Sequence, residues 1–154
     1  MARGRMLDQR FTQSDKLNSV SRDARLVYAS VLPYLDREGR ACAEPMAVKV
    51  NVFRRSDFTI EEITACLAEL AAAGLIELYA DEDNDAILQY TSFGEFNSPN
   101  ARERASEYPA PGDATALPLI DPDLLAALAP HDPSTDTPDA PSSTTQAAPT
   151  DDAR

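Results

Sequence analysis

Histidine is nearly missing from this chain: the one copy, His131, falls in the proline-rich last third of the sequence. The usual general base and the commonest nitrogen ligand for metals are therefore absent from the part able to fold. Cysteine is scarce too. Cys42 and Cys66 lie among apolar or small residues, and neither has a second cysteine or a histidine at metal spacing. They read as reduced, packed thiols, and no zinc site is expected. No nucleophile has a histidine to activate it, and no phosphate-cradling loop is present, so an enzyme is not expected. No apolar run approaches membrane-spanning length, and the first residues lack the apolar core of a signal peptide. The expectation is a cytoplasmic protein with no cofactor, no small-molecule partner and no membrane contact.

Acid is abundant: 26 Asp and Glu against 14 Lys and Arg, a formal net charge of −12. The charges are not mixed evenly. Residues 1–60 carry eleven bases against seven acids, residues 61–107 two against eleven, and residues 108–154 one against eight. A nucleic-acid contact would belong to the first sixty residues. Nine of the twelve prolines fall at or after Pro109, and few large apolar residues follow Leu128. These shifts divide the chain into a basic N-terminal arm (1–13), a domain (14–98), a connecting segment (99–112) and a disordered acidic tail (113–154).

The strongest local signal begins at Thr59. Glu62 follows three residues later, the pattern of a capping box. Ile60, Ile63, Leu67 and Leu70 then recur at helical spacing, with Glu61, Glu62, Thr64, Ala65, Ala68 and Glu69 facing outward. Gly74 supplies the helix stop. Leu75–Tyr79 alternates as a strand, with Leu75, Glu77 and Tyr79 on one face. Asp81–Asp85 forms a turn, and Ala86–Phe93 reads as a second strand. The alternate carboxylates of that turn resemble the start of a calcium loop, but Ala86 stands where glycine is required and Ser92 where glutamate is required. A solvated turn is the reading.

Upstream, Ser14–Leu17 reads as a short helical turn, and Ser21 caps a first long helix. Ala24, Val27, Tyr28, Val31, Leu32 and Leu35 give it one apolar face. Pro33 should kink it or end it early. Asp36–Arg40 is a turn and Ala41–Ala43 a minimal strand. Pro45 opens a second helix that stops near Arg54–Asp57. Phe58 is placed to staple that turn to the Thr59 helix. Downstream, Phe93 and Phe96 close the core, and 97–108 is a loop or a weak helix over Ala101–Glu107. In the tail, Asp121 and Pro122 begin a short helix over 121–129 with three leucines. Leu124, Leu125 and Leu128 make it a candidate partner-docking segment, with packing back on the domain as the alternative.

A capped third helix feeding a β-hairpin predicts an α+β fold, a winged helix-turn-helix of three helices and a hairpin wing. The chain resembles the winged-helix N-terminal domains of phage-type replication initiators and replisome organisers, the DnaD-like group. The resemblance runs over about residues 5–111. It is carried by Lys16-Leu17 to Ala24-Arg25-Leu26, Leu35-Asp36-Arg37-Glu38-Gly39-Arg40, Pro45 through Lys49 to Phe53, Ile63 with Leu67 to Ile76, and Ala105 to Pro111. It implies duplex DNA binding by the domain in a replication or regulatory module, with contacts to a replication partner protein by the rest of the chain. The basic candidates for phosphate contact are Lys49, Arg54 and Arg55, Arg37 and Arg40, and Arg3, Arg5 and Arg10 of the arm. The alternative is a protein-interaction or self-association module without DNA binding. The third helix offers glutamates where a groove-reading helix needs basic or amide side chains, and the hairpin turn is acidic as well.

Overall fold

Ser14 and Ser21 each start a helix in the same way. The Ser14 hydroxyl accepts from the Leu17 amide at 3.3 Å and opens α1 (Asp15–Ser19). The Ser21 hydroxyl accepts from the Ala24 amide at 3.1 Å and opens α2 (Arg22–Val31). These caps satisfy amides that have no partner inside the helix. The computed structural model describes residues 4–119 and 121–129. Pro33 ends α2 early, as expected. The chain tightens into one 3-10 turn, Leu32–Tyr34, and leaves it extended at Leu35.

The chain then makes β1 (Arg40–Cys42), α3 (Pro45–Asn51) and α4 (Ile60–Ala72). Pro45 occupies the first turn of α3, where a missing amide costs nothing. Phe58 packs its ring 5.0 Å from that of Phe53 and holds the turn between α3 and α4. The capping box of α4 is present in both directions, Glu62 N–H to Thr59 Oγ1 at 3.1 Å and Thr59 N–H to the Glu62 carboxylate at 2.8 Å. Its other end is a Schellman stop. Gly74, at φ +72°, donates to the Ala71 carbonyl, and Leu75 donates back to the Leu70 carbonyl.

Leu75 is spent on that stop, so the strand expected from Leu75 begins one residue later. β2 is Ile76–Ala80, and β3 is Ala86–Tyr90. The second strand is shorter than expected because the chain coils into a single helical turn, α5 (Phe93–Phe96). The sheet is antiparallel with order β1-β3-β2, and Ala41 and Leu78 both pair with Leu88. In the β2–β3 turn, the Asp81 carboxylate accepts from the amides of Asp83 and Asp85, an Asx-type turn. Residues 97–108 form turns and extended chain, without the weak helix. One more helix, α6 (Pro122–Leu128), follows. Among the described residues this is an α+β arrangement of six helices and a three-stranded sheet. None of those helices is long and apolar enough to cross a membrane.

The core lies between α2, α4 and the sheet. Ala24, Val27, Ile63, Leu67, Leu70 and Leu88 are each at most 1% exposed. Tyr28 and Tyr90 stack at 4.3 Å, and the Tyr90 hydroxyl donates to the Tyr28 carbonyl at 2.6 Å. Tyr79 faces away from the core but is covered by the exit segment, where its hydroxyl donates to the Pro109 carbonyl at 2.7 Å.

This packing has an alkaline consequence. Burial pushes the phenols of Tyr28 and Tyr79 up to about 12, and that of Tyr90 well above its ordinary value. An unfolded tyrosine ionises near 10, so between about 10 and 12 the unfolded chain releases protons that the folded chain keeps. Stability should be insensitive to these groups below that window and fall as pH rises through it. Denaturant midpoints measured from neutral to strongly alkaline pH should show the fall. Tyr28→Phe, which removes a phenol with no hydrogen bond of its own among the described residues, should make it shallower.

Candidate functional site

Three groups of residues bear on function: the expected phosphate contacts, the outward face of α4, and the leucines of α6. The structure separates the basic residues into two sets.

The first set is turned inward. Arg5 donates to both carboxylate oxygens of Glu103, at 3.0 and 2.8 Å, and to the Leu35 carbonyl at 3.0 Å. Its guanidinium also lies 5.3 Å from the Phe93 ring centre, and its side chain is only 5% exposed. Arg37 donates to the Glu103 carbonyl. Arg40 donates to Gln89 at 2.8 Å and to the Tyr108 carbonyl at 2.9 Å. Asp36 completes this clamp by accepting from the Ser106 hydroxyl. Arg5, Arg37 and Arg40, expected as phosphate contacts, are placed by the structure against the connecting segment, which they bind to the domain. The N-terminal segment lies on the domain as well: Met6 donates to Asn97, and Phe11 packs towards Tyr28. Arg5 also holds the Glu103 carboxyl below its usual range. The clamp lines an open cleft of about 850 Å³, walled by Pro33–Arg37, α3 and residues 103–108.

The second set remains outside. Arg54 and Arg55 are exposed on the turn between α3 and α4, and neither is in an ion pair among the described residues. Lys49 reaches the same turn, with Nζ donating to the Ser56 carbonyl at 2.7 Å. Arg10 is exposed but paired with Asp8 and stacked 4.4 Å from Phe96. Arg3 lies outside the described residues.

The face of α4 is only partly open. Glu61, Glu62 and Ala65 are exposed as expected. Glu69 accepts from the amide and hydroxyl of Ser21, so it braces the start of α2. Thr64 and Ala68 are buried, against expectation. With Ala71 they form a stripe of small side chains at i, i+4 and i+7, beside the core stripe. α6 packs on α4, and Leu124 is completely buried while Leu125 and Leu128 stay exposed. Cys66, on the core side of α4, has its thiol pushed up to about 11 by burial and by the acids around it.

Residues 113–119, expected as the start of the tail, lie against the domain. Ala80 and Leu117 exchange backbone hydrogen bonds at 2.9 and 2.8 Å, so the chain leaving the domain runs along the end of β2. Of the two roles weighed for the leucine helix, packing back on the domain is the one seen. Asp121 caps it, accepting from the amides of Asp123 and Leu124. Leu124 belongs to the hydrophobic core cluster. Burying one leucine contributes about 1.5–3 kcal/mol, whereas fixing a backbone costs about 1–2 kcal/mol per residue before helix hydrogen bonds offset it. Most of the expected acidic tail, from 130 onward, lies outside the described residues.

No family model, no curated protein and no solved structure matches this chain.

Proposed function

We propose that the chain is a winged-helix protein-interaction module of a phage-type replication or regulatory system, with α2, α3 and α4 as its three helices and β2–β3 as its wing. One observation carries this reading. α4, the helix that a DNA-reading winged helix lays in the major groove, is packed against by the leucine helix α6 and carries the exposed glutamates Glu61 and Glu62 in its first turn. Exposed acids also line the turn of the wing at Glu82, Asp83 and Asp85. Such a surface repels phosphate and accepts protein.

A second reading is favoured at one place. Arg54 and Arg55, with Lys49 beside them, occupy the turn that lies near the DNA backbone in winged-helix complexes. The DNA binding expected from the resemblance is therefore proposed as phosphate contact there, without base reading by α4. Two or three such contacts give a slope of log affinity on log salt of about −2 to −3.

A duplex titration of the full chain over a salt series separates the two. Weak binding, lost at moderate salt and abolished by Arg54→Glu with Arg55→Glu, is the expected result. Glu61→Gln with Glu62→Gln should leave it unchanged or raise it, and glutamine keeps the capping box intact. Salt-resistant duplex binding that the glutamate changes destroy would overturn the protein-interaction reading.

A further inference from the structure

We propose that the cleft beside α3 binds a small organic monocarboxylate with an apolar body, the carboxylate held by Arg37 and Arg40. Such a site goes beyond the protein-interaction reading, because it uses neither α4 nor the wing.

At about 850 Å³ the cleft has the size of a small-molecule site, which is commonly about 300–1,000 Å³. Its charged groups set the ligand class. Four arginines and three carboxylates line it, a surplus of one positive charge. Two of those carboxylates are already used. Both Glu103 oxygens accept from Arg5, and the Asp36 oxygens accept from the Ser106 hydroxyl and from the amides of Glu38 and Arg40. The guanidinium donors are not used up. Among the described residues Arg37 makes a single hydrogen bond, a long one of 3.4 Å to the Glu103 carbonyl, and Nη2 of Arg40 makes none. Neither arginine is in an ion pair among those residues. Both are half-buried, so a carboxylate that meets them gains charge-assisted bonds with reduced screening. At the rim, exposed Arg104 and Glu107 offset each other. A surplus of one charge matches a carboxylate. A phosphate dianion would leave a negative charge unbalanced beside Asp36 and Glu103. The rest of the lining suits an apolar body: Pro33 and Tyr34 are exposed there, and Val52 is half-buried.

The probe is N-acetyl-leucine, with its uncharged amide as the control, titrated into the full chain and followed by backbone amide NMR shifts. An acid of this size should bind with a Kd of about millimolar and move the signals of cleft residues. The amide should bind about tenfold more weakly or less, having lost the charge-assisted bonds. Arg37→Gln removes the guanidinium with the most unspent donors and should weaken the acid about tenfold. Arg22→Gln, on the exposed start of α2, should leave binding unchanged. Cys42 gives a readout on unaltered wild type. It lines the cleft and is half-buried, so bound acid should slow its alkylation. This arm decides even where Arg37→Gln lowers the melting temperature. If the acid does not bind, if acid and amide bind alike, if the two arginine variants weaken binding equally, or if Cys42 gains no protection, the proposal fails. Inorganic phosphate should compete poorly. Displacement of the acid by less phosphate than acid would make this a phosphate site and overturn the carboxylate assignment. A short peptide ending in a free leucine carboxylate should bind no tighter than the acid. Binding about tenfold tighter would make the cleft a dock for a protein terminus and overturn the small-molecule assignment. None of these outcomes touches the duplex titration, which judges the broader reading separately.

Discussion

Gly39→Ala should lower the unfolding free energy by about 2–5 kcal/mol, from left-handed strain and overpacking acting together. Gly39 has φ +81° in the turn between the end of α2 and β1. A β-carbon there would lie 2.5 Å from Cγ of Phe93 and 2.6 Å from its Cβ. The ring cannot retreat, because Phe93 is buried and the Arg5 guanidinium lies over it. The Gly39 backbone is committed as well. Its amide donates to the Asp36 carbonyl, and its carbonyl accepts from the Tyr90 amide at 2.9 Å. Displacing the turn would also move Arg37 and Arg40, which leave it to hold the connecting segment. The denaturant midpoint should fall, and residues 97–108 should become more open to proteolysis than in wild type. An unchanged midpoint would mean that this turn does not have the left-handed form described.

Signals within a few residues were legible in advance. The Thr59–Glu62 box, the Gly74 stop, the Ser21 cap and the early end at Pro33 each depend on neighbours close in sequence, and each is where local chemistry places it. Long-range pairing was not legible. Arg5 meets Glu103 from 98 residues away and Arg40 meets the Tyr108 carbonyl from 68, so a charge count reads both as free surface cations. Helical periodicity weighs large apolar residues and is silent on small ones, so it leaves Thr64 and Ala68 facing outward. α6, which packs on this helix, arrives more than fifty residues later through a proline-rich stretch. Composition marked that stretch as disordered. Pairing of Leu117 with Ala80 at the end of β2 outweighs the composition there. The functional surface is hard to read for the same reason: the leucine that covers α4 belongs to a different region of the chain.

Leu70→Ala and Leu124→Ala remove the same atoms from equally buried sites, 1% and 0% exposed, and should have very different consequences. Leu70 lies in the last turn of α4, packed in the core between helices and sheet. The surrounding elements cannot collapse onto the vacancy without moving one another. Its loss should cost about 2–5 kcal/mol in global stability, the transfer and cavity terms together. Leu124 stands on a seven-residue helix with no polar tie to the domain among the described residues. When its anchor is cut, α6 can leave and water can wet the uncovered face of α4, so no cavity has to persist. The global transition should then shift by about 1 kcal/mol or less, because local opening caps the cost. Parallel urea unfolding of the two variants and wild type makes the comparison. A large drop for Leu70→Ala with a small one for Leu124→Ala supports a core finished before α6 arrives. Equal drops would place α6 inside the cooperative unit.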